Sequence, residues 1–388
     1  MAMFEYFPGN YIWNLSVDIA IESGAQIGEI EEICRPIREA AAKGADAGTA
    51  QFFDAWYAMA EKLVMLADED EAKGRTFSAA TKLHRAALYY QTAERMQART
   101  YAPRWEAFRK GIATFQKAMA LSKEPYERIE IDYLDGKVPG FLTLAESTDG
   151  NPPPVMVFCN GLDSSKEMLY WTRMSRELRR RGVSVLHVDQ PGTGESLRTH
   201  NLPAVYNTEA WASLIVDRLQ QHPGIDPKRI GMMGISLGGY YAPRAVAMEP
   251  RFALGAVWGA NHDWAEVQRR RLNREGENPV PHYWEHVRWV WGAKDQDEFM
   301  ELSGKATLDG VLQNVKVPFL VTHGEKDRQI PLEYAHKSYE ALVNSPKREL
   351  KIFTDREQGV EHTSVDNLAN ARDYIADWIA ETFGTVTG

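Results

Sequence analysis

At 388 residues the chain is long enough to bury a large core and to carry one α/β domain with a second piece appended or inserted. A composition of 44% hydrophobic and 26% charged residues excludes a fibre or a disordered chain. The formal net charge of −9 argues against nucleic acid or an anionic membrane as the main partner, since both demand a basic face, and leaves a small molecule as the expected ligand.

Cys34 and Cys159 are too few for a disulfide framework, and Cys159 sits in an apolar run. A reducing, cytoplasmic setting is expected. The opening "MAMFEYFPGN" lacks a basic region followed by an apolar one, and no apolar run approaches the ~20 residues of a membrane span.

In chain order, residues 11–122 read as helices only. "FFDAWYAMAEKLVMLADEDEAKG" places Phe53, Trp56, Met59, Ala60, Leu63 and Leu66 on one face, and "SAATKLHRAALYYQTAERM" puts Leu83, Ala87 and Tyr90 on a similar stripe. The pair resembles one unit of a helical repeat, but no second copy follows at a fixed period, so the repeat reading is rejected. At Pro125 the pattern changes. "YERIEIDYLDGKVPGFLTLAE" alternates about Asp135-Gly136 and predicts an antiparallel hairpin.

Beyond it, apolar runs at 155–160, 183–189, 229–234, 253–259 and 318–324 alternate with helical stretches, and a further strand is read at 349–354. Runs buried on both faces between helices predict a mostly parallel sheet flanked by helices. The rhythm breaks between Gly259 and Pro318, where a Trp-, His- and Arg-rich stretch, about 260–315, reads as a helical insertion. The expected organisation is a helical domain over 1–122 and an α/β domain over 123–388 that carries the insertion.

In such a sheet, ligands bind beyond the carboxyl ends of the strands, so reactive side chains just after a strand are the candidates. Ser236 follows a strand in "GISLG", a G-x-S-x-G in which the glycines allow a sharp turn that presents the hydroxyl. A serine needs an adjacent base to be nucleophilic at neutral pH. His362, in "GVEHTS", supplies one, and Asp327, in "HGEKD", is placed to orient it. The order Ser, Asp, His, each after a successive strand, is that of the α/β-hydrolase fold. "FCNGLDSS" adds a small-residue turn after 155–160; the Leu162 amide, with that of Leu237, is the expected oxyanion hole.

Three other motifs compete for chemistry. "DQPGTGES" (189–196) lacks the ending of a phosphate loop and reads as a turn bordering the site. "HYWEH" (282–286) matches H-x-x-E-H, a zinc motif with Glu285 as water activator, but no third ligand is evident; His282 and His286 are expected to line or cover the pocket, with no metal. His323 reads as a structural histidine.

With Trp13, "FFDAWYAMAEKL", "AALYYQTAE", "NGLDSSKE", "DQPGTGES", "GISLGG", "HGEKD" and "EH" in hand, the chain resembles the α/β-hydrolase group that includes 2,6-dihydroxypseudooxynicotine hydrolase, the fungal polyketide-shortening hydrolases of pigment biosynthesis and the fermentation-respiration-switch-like esterases. The resemblance spans nearly the whole chain. It implies that the helical domain covers the active site, that homodimers are common, and that several members cleave a carbon–carbon bond beside a ketone while others are simple esterases. The expectation is a serine hydrolase without cofactor, acting on a bulky aromatic or polyketide-like carbonyl compound, with Trp258, Trp264, His282, Tyr283 and Trp284 as candidate substrate-binding residues. The alternatives are a carboxylesterase or lactonase, a serine peptidase of the oligopeptidase type, a zinc hydrolase and a non-catalytic binding protein.

Overall fold

The computed structural model describes residues 3–147 and 150–385. They divide into two compact units: a helical one of residues 3–125 together with 278–286, and an α/β one of residues 126–147, 150–277 and 287–385. Part of the long segment between the fourth and fifth parallel strands thus belongs with the helices. None of the described helices is long and apolar enough to cross a membrane.

The helical unit is built on three long helices, Thr49–Ala72, Thr76–Arg95 and Pro103–Ser122. The aromatic stripe read from the sequence is its core: Trp56 is fully buried and meets Tyr89 edge-on at 5.5 Å, while Phe52 meets Trp13 at 4.9 Å. Leu66 is only half-buried, and Ala67, one position on, takes the inward place. Arg104, wholly buried, pairs with Glu94 and donates to the Gln97 carbonyl.

The α/β unit holds one eight-stranded sheet. β1 (Glu127–Tyr133) and β2 (Gly136–Thr143) form the hairpin, and β2 runs antiparallel to β4 (Ser184–Val188). β3 (Val155–Cys159), β5 (Ile230–Ile235), β6 (Leu254–Trp258), β7 (Phe319–Gly324) and β8 (Arg348–Phe353) continue it in parallel, in the order 1-2-4-3-5-6-7-8. The order reverses where β3 pairs with both β4 and β5, so the loops after these three strands open at the topological switch point. Cys159 opposite Gly234, Ile235 opposite Trp258, and Trp258 opposite Thr322 keep the carboxyl ends level. On one face, Met156, Phe158, Met233 and Trp258 pack with Leu178 and with Ile375, Trp378 and Ile379 of the last helix, Leu368–Phe383.

Candidate active site

Ser236 lies between β5 and the helix Gly238–Met248 with φ +59°, a left-handed conformation that costs a non-glycine residue about 1–3 kcal/mol. The turn is tight because Gly234 has no side chain: a Cβ there would stand 2.1 Å from the Gly238 carbonyl oxygen. The Ser236 N–H donates to the Trp258 carbonyl, which extends the β5–β6 pairing to the nucleophile candidate itself.

Two further loops converge on it. Ser236 Oγ is 2.8 Å from His362 Nε2, and His362 Nδ1 is 2.8 Å from Asp327 Oδ2. Because Asp327 can only accept there, Nδ1 carries the ring proton and Nε2 is left to accept the serine hydroxyl. Asp327 Oδ1 accepts the N–H groups of Gln329 at 2.7 Å and Ile330 at 3.0 Å, which hold the carboxylate in place. Burial opposes its ionisation, but the His362 ring, the His323 ring and the Ile330 N–H outweigh that, and the carboxyl lies below its ordinary value.

The loop bearing His362 is itself held. The Asp366 carboxylate accepts the N–H groups of Gly359, Val360 and Glu361, and the Trp258 indole donates to Ser364 Oγ at 3.1 Å. Asp366 carried no motif, and only a carboxylate four residues beyond the histidine hinted at it. His323 bonds to backbone on both sides, its Nδ1 accepting the Ala260 N–H and its Nε2–H donating to the Ile330 carbonyl, with Nε2 also 3.7 Å from Asp327 Oδ2; burial lowers its pKa.

The turn after β3 reaches the same point. A Cβ at Gly161 would sit 3.3 Å from Ser236 Oγ, so the backbone beside Leu162 touches the serine. Leu162 and Leu237 flank it from two loops, and among the described residues neither N–H has a hydrogen-bond acceptor. These amides, the serine and the histidine together can bind a carbonyl carbon and stabilise negative charge on its oxygen.

The other sequence-selected residues are divided between the two units. Trp258 is 1% exposed and packs in the core on one face of the sheet, and its indole supports the histidine loop. Trp264 is buried in the α/β unit beneath the Arg271 guanidinium. His282, Tyr283 and Trp284 belong to the helical unit. There the His282 N–H donates to Asp46, its Nε2 lies 3.4 Å from Thr49 Oγ1, and Tyr283 meets Trp284 edge-on at 5.1 Å. Glu285 of the H-x-x-E-H run accepts the Arg99 N–H, and among the described residues no group of three or more His, Cys, Asp or Glu side chains is arranged to hold a metal.

Sequence reasoning missed a buried charged cluster beside the turn. Lys166 is 2% exposed, and its ammonium meets Asp189, Glu167 and Glu195, while Arg128 meets Glu195 from β1. "DQPGTGES" reads as a turn in the sequence, but its last three residues open the helix Gly194–Arg198, and nothing in its spacing showed that its acids are buried against Lys166.

A mostly parallel eight-stranded sheet, a serine on a strained strand-to-helix turn and a histidine–carboxylate pair beyond later strands define an α/β-hydrolase of the serine-hydrolase type. Residues 178–385 match the prolyl oligopeptidase family and residues 51–260 match the FrsA-like esterases, and the chain belongs to this branch of the hydrolases. It is 28% identical to hydrolase LUC6 of Fusarium sp., over 98% of this chain and 99% of that one. It is also 28% identical to 2,6-dihydropseudooxynicotine hydrolase of Paenarthrobacter nicotinovorans, over 84% of this chain and 83% of the relative. Its fold superposes on the crystal structure of 2,6-dihydroxy-pseudo-oxynicotine hydrolase with a TM-score of 0.78 at 24% identity, covering 95% of both chains.

Proposed function

We propose that the protein is a cofactor-independent serine hydrolase that cleaves a carbon–carbon bond adjacent to a ketone in a bulky aromatic or polyketide-like substrate. The observation that carries the serine chemistry is the unbroken chain of two 2.8 Å contacts from Ser236 through His362 to Asp327. In the proposed cycle Ser236 Oγ adds to the carbonyl carbon, its proton passes to His362 Nε2, and the oxyanion accepts the Leu162 and Leu237 N–H groups. Collapse breaks the carbon–carbon bond. The departing carbon, stabilised as an enolate, takes the proton back from His362, and water activated by the same ring releases the acyl group from Ser236.

The choice of a carbon leaving group rests on the resemblance to hydrolases that cleave beside a ketone. The FrsA-like match favours a second reading, a carboxylesterase or lactonase on a small ester, which the same residues perform with an alkoxide leaving group. Incubation with aromatic β-diketones and matched aryl esters, with products identified and kcat/KM compared, separates the two: diketone cleavage supports the first, and ester turnover with every diketone intact selects the second.

The resemblance also supports a homodimer, which light scattering on the purified protein tests. Two buried free thiols, Cys34 and Cys159, support a reducing cytoplasmic location.

A further inference from the structure

The turn from Asn160 to Ser165 carries Leu162 and has no regular secondary structure, yet its first residue and Lys166, which opens the helix Lys166–Trp171 at its end, are tied to two adjacent residues of the loop after β4, Asp189 and Gln190. At the first end, the Asn160 N–H donates to Gln190 Oε1 at 2.9 Å, and Gln190 Nε2 donates back to the Asn160 carbonyl at 2.9 Å. The side-chain amide thus pairs with the backbone as a neighbouring strand would. At the second end, the Lys166 N–H donates to Asp189 Oδ1 at 2.7 Å, and its ammonium to Asp189 Oδ2 at 2.9 Å. Between them Ser164 Oγ donates to Asn160 Oδ1, and Asn160 Nδ2 donates to the Val188 carbonyl. Asn160, Asp189 and Gln190 are completely buried.

Burying this many polar and charged groups is costly, and apolar residues would join two loops at less expense, so the arrangement calls for a task that needs directional bonds. We propose that Gln190, seconded by Asp189, is the positioning residue of the oxyanion site: it fixes the Asn160–Ser165 turn so that the Leu162 N–H stays aimed at the oxygen of the carbon that Ser236 attacks. The inference rests on the serine-hydrolase reading above. Gln190 touches no reacting atom; it acts through the backbone of Asn160. A primary amide suits the role because it accepts and donates at once, which neither an ionised carboxylate nor an aliphatic side chain can do. Such placement matters because a donor misplaced by about 1 Å costs roughly 10²-fold in rate.

The test is the reaction of the full-length protein with an alkyl fluorophosphonate, followed by intact mass over a range of probe concentrations. Ser236 Oγ attacks phosphorus, the phosphoryl oxygen takes up charge in the oxyanion site, fluoride leaves, and the serine proton ends on His362. Gln190→Met is expected to lower the maximal labelling rate about 30- to 100-fold, and Ser164→Ala about three- to tenfold, with the concentration giving half-maximal rate changed less than threefold. A merely structural role would instead reduce the labelled fraction or weaken probe binding and leave the maximal rate alone. The parental maximal rate in both variants overturns the proposal; if Gln190→Met does not fold, Ser164→Ala decides by the same criterion. Ser236→Ala is run beside them: a parent that is not labelled, or label that persists in Ser236→Ala, overturns the serine-hydrolase reading instead.

Discussion

The Trp258 indole N–H donates to Ser364 Oγ at 3.1 Å and so ties the last residue of β6 to the turn that presents His362. Thr363 and Ser364 in that turn both have left-handed backbones, at φ +51° and +60°, so the turn needs external support to keep its shape. Trp258→Phe keeps a ring in the core while deleting the bond. The expected outcome is a stability loss of about 1 kcal/mol with turnover three- to tenfold lower, read from thermal melts and initial rates on one substrate. Parental rates in the variant would show that the bond does not position His362.

Ser236→Ala and His362→Ala each delete one half of the proposed nucleophile–base pair and are expected to lower turnover at least ~10³-fold in folded protein. Asp327→Asn leaves the Gln329 and Ile330 N–H groups competing with the histidine for one acceptor oxygen, and turns an N–H₂ group toward His362 in one orientation. A loss of about 10²- to 10⁴-fold is expected. Steady-state rates within tenfold of the parent for Ser236→Ala would end the serine-hydrolase reading.

Glu195 predicts a pH-dependent contribution to stability. Burial raises its pKa, but the Lys166 and Arg128 charges more than reverse this and bring it down to about 2 from 4.5. A depressed carboxylate stabilises the fold fully above the unfolded value and loses that contribution as pH falls toward the folded one. The window is therefore roughly pH 4.5 to 2, and the contribution about 3 kcal/mol. Glu195→Gln is expected to melt several degrees below the parent at pH 7, with the gap closing toward pH 3. A gap independent of pH would assign the loss to packing alone.

The H-x-x-E-H run invites a metal test. With Glu285 accepting the Arg99 N–H and the His282 ring Nε2 3.4 Å from Thr49 Oγ1, the expected result of prolonged chelation is unchanged activity, with elemental analysis finding less zinc than protein. Activity lost to the chelator and restored by zinc would move the water-activating role to Glu285.

The sequence by itself determined the α/β class, because strands buried on both faces must be apolar throughout and helices must show a 3.6-residue stripe; these are local demands on consecutive residues. It also singled out Ser236, Asp327 and His362, since each follows a strand and parallel strands deliver such residues to one edge. Contacts between distant segments were decided only in three dimensions. Lys166 meets Glu195 across 29 positions and Arg128 meets Glu195 across 67, and no periodicity encodes such pairings. Trp258, a candidate substrate-binding residue in the sequence, has its side chain in the core at the end of β6, a placement that only the pairing of the strands decides. The segment 278–286, read as part of an insertion in the α/β domain, belongs to the helical unit because Asp46, Thr49 and Arg99 hold it there. The turn after β3 is likewise tied to Gln190, 30 residues away, because a segment without its own ladder bonds to whatever polar groups are packed against it.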